Sequence, residues 1–255
     1  MDTAIVKSSK FHQIVILRES LRRVSSGGSG LVSMADKHVM ERAFFPGGNG
    51  LMLGEDAPRF PVDGTLVLGS NFGADEKFCT PDGELLCVDE TNNPGTWVGL
   101  RKRFTTEQLE DCFFTNAWPF LHTGASNNPD GSVKQGWLRD SVLMGSCLEF
   151  FRTLLRELRP SLIVALGTAP AAFISYAFPE ALAGWSGNAW RCIDQQPTGI
   201  VQNGIFTSAC VAITHPSMSN AHLRIEDFGT AAKERELLQR AIQSGEKIRR
   251  DRSGH

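Results

Sequence analysis

Four continuous apolar runs, each followed by a glycine or a polar residue, set the rhythm of this chain. They are Thr65-Leu66-Val67-Leu68, Cys112-Phe113-Phe114-Thr115, Leu162-Ile163-Val164-Ala165-Leu166 and Ala209-Cys210-Val211-Ala212-Ile213-Thr214. None alternates apolar with polar, which predicts parallel strands covered on both faces. Helical spacing fills the intervals. From Trp137 to Arg159 the apolar positions Leu143, Cys147, Phe151, Leu154 and Leu158 recur every three or four residues, and Pro160 ends the run. Thr168 and Pro170 predict the first turn of another helix, and Glu226 to Ile242 an amphipathic one. Phe11 to Arg23 could form a short helix. Strands alternating with helical crossovers predict an α/β fold, a three-layer α/β/α sandwich around a mainly parallel four-stranded sheet.

The regular pattern begins near Arg59. Residues 1–58, interrupted by Ser25-Ser26-Gly27-Gly28-Ser29-Gly30, read as an N-terminal extension, and residues 59–243 as the folded domain. Residues 244–255 carry Lys247, Arg249, Arg250 and Arg252 with two glycines and read as a flexible basic tail.

Composition narrows the function classes. The chain has 255 residues, 41% apolar and 21% charged, the balance of a soluble globular protein. Its 26 Lys and Arg against 28 Asp and Glu give a net charge of −2, which excludes a strongly basic chromatin-type protein. No apolar run approaches the ~18 residues of a membrane helix, and Met1-Asp2-Thr3 does not open a signal peptide. A cytoplasmic protein and a monomer are expected, with no membrane partner. Six cysteines are scattered without a C-x2-C pair, so reduced thiols are expected, with no metal and no cofactor.

In open parallel sheets, ligands bind outside the carboxyl ends of the strands. Those ends here are Gly69-Ser70-Asn71-Phe72-Gly73, Asn116-Ala117-Trp118, Gly167-Thr168 and His215-Pro216-Ser217-Met218. Polar side chains directly after apolar runs are the pattern of a site. Each also has a plainer reading: Asn71 as a turn former beside Gly73, His215 as a loop histidine, Trp97 as a lid over the core, Asn116 as a strand-end turn residue.

Taken in order, these segments resemble the uracil-DNA glycosylase superfamily over roughly residues 59–243. Gly69-Ser70-Asn71-Phe72-Gly73 is similar to its first motif, with Phe72 where proline is usual and Asn71 at the water-positioning place. His215-Pro216-Ser217 is similar to its last motif. Pro94-Gly95-Thr96-Trp97-Val98-Gly99 resembles the segment whose aromatic stacks on a flipped base, and Thr115-Asn116 the strand end that reads a pyrimidine edge. Asn71 in place of aspartate resembles the mismatch-specific and single-strand-selective branches. The four cysteines of the iron–sulfur branch have no counterpart here.

The resemblance implies a monofunctional DNA glycosylase that removes uracil or another deaminated base from damaged DNA, the opening step of base excision repair. Catalysis would fall to Asn71 and His215, and base binding to Gly69, Ser70, Phe72, Trp97 and Asn116. Met218 would be the wedge, with Ser217, Arg101 and Arg103 contacting DNA. The chemistry fits: N-glycosidic cleavage builds negative charge on the leaving base, which a histidine N–H can stabilise. An asparagine amide can orient water but cannot take its proton. Two other readings stay open, a non-catalytic nucleic-acid or protein-binding module on the same fold, and an enzyme acting on a small nucleobase-like molecule.

Overall fold

The computed structural model describes residues 3–24, 31–33, 61–71, 94–122, 141–216 and 231–254. They belong to two compact units interleaved along the chain. The first comprises residues 1–58, 71–93 and 116–157, the second residues 59–70, 94–115 and 158–255. This differs from a simple division at residue 58.

In the first unit, α1 (Thr3–Arg22) is longer than the expected segment from Phe11 to Arg23. It buries Ile14, Leu17 and Leu21, at three-to-four spacing. The side-chain amide of Gln13 donates to the carbonyl of Glu157 in α4 (Ser141–Leu158), at 3.1 Å. The α4 positions picked out by spacing, Leu143, Cys147, Phe151, Leu154 and Leu158, are all buried. A short antiparallel pair joins β1 (Leu31–Ser33) to β4 (Phe120–His122), with Val32 opposite Leu121.

The second unit is built on a five-stranded sheet, not the four strands expected. Its strands are β2 (Thr65–Asn71), β3 (Cys112–Trp118), β5 (Leu162–Leu166), β6 (Thr198–Gln202) and β7 (Thr207–Ile213). Their order is β3-β2-β5-β7-β6. The pairs β2–β5 and β5–β7 are parallel, with Val67 opposite Val164 and Val164 opposite Val211. All five residues of β5 are buried, as its unbroken apolar run requires. The fifth strand, β6, pairs antiparallel with β7 at the edge. Only Val201 of its five residues is buried, so it carries no apolar run to betray it. Its hairpin is closed by Asn203, whose Oδ1 accepts from the N–H groups of Ile205 and Phe206 at 3.1 Å each, and by Gly204 at φ +80°.

Helices α2 (Pro94–Arg101), α3 (Thr106–Glu110), α5 (Thr168–Ala177), α6 (Trp190–Ile193) and α7 (Ala231–Ser253) complete this unit. Thr105 caps α3 in a reciprocal capping box with Gln108. No helix among the described residues is long and apolar enough to cross a membrane. Burial pushes the thiols of Cys112, Cys147 and Cys210 up, which keeps them protonated and unreactive.

The expected flexible tail is corrected by α7, which stays helical to Ser253. Its basic residues are anchors. Arg252 Nη1 donates to Asp63 Oδ1 at 3.0 Å, and Nη2 to the carbonyls of Pro160, at 3.2 Å, and Thr207. Those partners precede or open β2, β5 and β7. Arg249 pairs with Asp111, just before β3, at 2.6 Å. Asp63 and Arg159 hold left-handed backbone at φ 61° and 46°, and their side chains bond at 3.1 Å. Hydrogen bonds to charged groups typically contribute about 1.5–3 kcal/mol. Arg252→Ala is therefore expected to lower stability by about 2 kcal/mol or more, read from urea unfolding. Lys247→Ala, an exposed pair with Asp251, should change it by less than about 0.5 kcal/mol.

Candidate functional site

β7 delivers Thr214, His215 and Pro216 to the carboxyl edge of the sheet, beside Gly167, whose N–H donates to the Ile213 carbonyl at 2.8 Å. This edge is organised by a carboxylate that the apolar pattern does not mark. Glu234, in the first turn of α7, is 2% exposed. Its Oε2 accepts from the Thr214 backbone N–H at 2.9 Å, and its Oε1 from the Thr214 hydroxyl at 2.7 Å. The same Oε1 accepts from Arg103 Nη2 at 3.1 Å. Arg103 Nη2 also reaches Thr214 Oγ1 at 3.2 Å, and Nη1 donates to the Gly99 carbonyl at 3.1 Å. A buried charge pair persists only when its remaining donors and acceptors are satisfied, and this one has such partners.

Arg103 therefore differs from its expected role as a DNA contact, because its guanidinium is engaged internally by Glu234, Thr214 and Gly99. Arg101, in the last turn of α2, is exposed. Gly99 is where α2 meets the His-Pro loop. A Cβ there would stand 2.4 Å from the Pro216 carbonyl oxygen, so no larger residue fits at this approach.

His215 is half-buried. Burial, reinforced by the Arg103 cation, pushes its imidazole down to about 4. At neutral pH the ring is uncharged, with one N–H donor and one acceptor. Trp97 lies on α2 at 8% exposure and packs edge-on against Phe114, with ring centres 5.3 Å apart. Its rings are part of the core, which departs from the free stacking platform expected of it. Gly69 is buried and Ser70 half-buried near the end of β2.

Two expected residues belong to the first unit. Asn71 is the last residue of β2. Asn116, within β3, is 2% exposed, and among the described residues its side-chain Nδ2 has no hydrogen-bond partner. An unmet buried donor costs about 1–3 kcal/mol. Phe72, Ser217 and Met218 fall outside the described residues. Among the described residues no cluster of three or more His, Cys, Asp or Glu side chains could hold a metal.

The depressed His215 value has a signed consequence for stability. Between about 4 and 6.5 the unfolded chain takes up a proton on this ring that the folded chain does not. Stability is full above pH 6.5 and falls as pH drops through that window. His215→Asn should flatten this part of the profile, measured as the difference in urea midpoint between pH 7 and pH 4.5.

No protein-family model matches this chain, and no curated protein does.

Proposed function

We propose that the chain is a monofunctional DNA N-glycosylase acting on uracil or another deaminated base, on an α/β/α sandwich of the uracil-DNA glycosylase type. The observation that carries this reading is the Nδ2 of Asn116, a buried donor with no partner among the described residues, whose cost a bound acceptor would remove. A base carbonyl is such an acceptor. Cytosine carries an amino donor where uracil has a carbonyl, so the same amide would reject the undamaged base.

In this reading water attacks C1′ as the C1′–N bond breaks, its electron pair leaves with the base, and the water proton passes to solvent. Asn71 orients that water by hydrogen bonding and takes no proton. The neutral His215 N–H donates to the oxygen on which negative charge grows, and the fixed Arg103 cation favours the same charge. Trp97 acts as packed support for α2, and exposed Lys102 is a cation that could meet a phosphate. A second reading, a non-catalytic nucleic-acid-binding relative, draws on the burial of Trp97 and the internal engagement of Arg103.

Single-turnover kinetics on uracil, hypoxanthine and xanthine, in single- and double-stranded oligonucleotides, separates these readings. Turnover is expected for at least one lesion. His215→Ala should slow it ~10²–10³-fold, the usual loss of one transition-state donor. Asn116→Ala should lose roughly tenfold, as one unmade hydrogen bond implies, and Asn71→Asp should match or exceed the wild type. Salt-dependent binding without turnover would transfer the assignment to the binding module. Neither binding nor turnover would sink both.

A further inference from the structure

The Thr214–Glu234–Arg103 cluster does more than close a charge pair. A buried carboxylate could neutralise Arg103 from any side, yet Glu234 divides its oxygens between two tasks. Oε2 is committed to the backbone N–H of Thr214, the residue immediately before His215. Oε1 takes the Thr214 hydroxyl and the Arg103 guanidinium together. Thr214 is therefore held at both main chain and side chain. Arg103 is also tied to the carbonyl of Gly99, the residue that touches Pro216 on the other side of His215. The segment Thr214-His215-Pro216 is thus gripped before and after the imidazole.

We propose that Glu234 is the positioning residue of the His215 site, fixing through Thr214 and Arg103 both the backbone that presents the imidazole and the cation beside it. The inference rests on the reading of His215 as the donor to the leaving base. Its physical content is pre-organisation: a donor aimed at charge that appears only in the transition state works when its direction is already set. Glu234 touches no substrate in this scheme. Its effect falls on the rate of the chemical step and leaves DNA binding nearly intact, because Glu234 is buried and would meet no phosphate.

The test uses the full chain and three substitutions. Glu234→Gln keeps the shape and one acceptor while removing the charge. Thr214→Val removes the hydroxyl at constant shape, which guards against a Glu234→Gln protein that fails to fold. Thr214→Ser keeps the hydroxyl. With a uracil oligonucleotide, Glu234→Gln and Thr214→Val are expected to slow the single-turnover rate about 10²-fold, the loss typical of a displaced catalytic group. The half-saturating DNA concentration should move less than about threefold, an uncertainty comparable to context effects on one contact. Thr214→Ser should restore a near-wild-type rate. In parallel, the His215 imidazole resonances, assigned by their loss in His215→Asn, should broaden or split in Glu234→Gln and Thr214→Val but not in Thr214→Ser. Amide exchange at Thr214 should accelerate in Glu234→Gln.

An unchanged rate with unchanged His215 resonances in folded Glu234→Gln and Thr214→Val would overturn the proposal. So would equal losses in Thr214→Ser and Thr214→Val. Should the wild-type protein show no turnover on any lesion, the glycosylase reading fails by itself. The resonances and the Thr214 exchange then decide the positioning role: if disturbed it stands, if undisturbed it is withdrawn.

Discussion

One helix, α7, sets the strands of the sheet against each other at both ends. From Glu234 to Arg252 it rises by eighteen residue steps, about 27 Å at 1.5 Å per residue. A seven-residue strand such as β7 spans about 23 Å. The helix therefore reaches from one edge of the sheet to the other, and its charged groups sit where the strands begin and end. At the amino edge Arg249 and Arg252 bond to groups that precede or open β3, β2, β5 and β7. At the carboxyl edge Glu234 holds Thr214 and Arg103. Between them Leu237, Leu238 and Ala241 are buried, so apolar burial supplies the adhesion and the charges supply the register.

That arrangement explains why the polar chemistry collects where it does. The middle strand β5 is paired on both sides and buried throughout, so it can carry no polar side chain without a partner. Polar residues are admitted only past the ends of the apolar runs. The amino edge uses its share for anchoring, with two left-handed non-glycine residues, Asp63 and Arg159, held by ion pairs. The carboxyl edge of the second unit holds His215 together with a buried acid, Glu234, and the Arg103 cation. One edge stabilises, and the other carries the groups suited to chemistry.

Strands β2, β3, β5 and β7 and helix α4 were legible because burial there is largely continuous or periodic, and those patterns survive in the sequence as apolar runs. β6 was not, since an edge strand with one buried residue needs no such run; the Asn203-Gly204 pair marked only its turn. The end of α7 misled for a related reason. Arg249 and Arg252 look like a solvated tail, because the sequence around them does not announce that Asp111 and Asp63 wait at the strand starts. Arg103 misled in the same way, expected as a DNA contact while Glu234 and Gly99 engage it internally. The place of His215 at the carboxyl end of a strand was legible because it follows an apolar run. Glu234 was missed, since an acidic residue in a charged first turn is ordinarily a solvated one. Its sole distinguishing property, burial, belongs to the tertiary structure.

The charge state of the edge matters for what it can distinguish. A protonated imidazole would attract any anion, phosphate in the ground state included, and would gain little on going to the transition state. A neutral ring donates one directed hydrogen bond, which strengthens as its acceptor becomes negative. Its neutrality follows from burial and from the Arg103 cation. That cation is itself balanced by Glu234, so the edge is not a general anion trap. With a net charge of −2, the chain has no global field to draw in a polyanion. Under the proposed function, a nucleic acid would have to be met by local exposed cations such as Lys102, while the interior of the site stays nearly neutral. The proposed function would thereby place binding and chemistry on different charges, so that a change to one need not disturb the other.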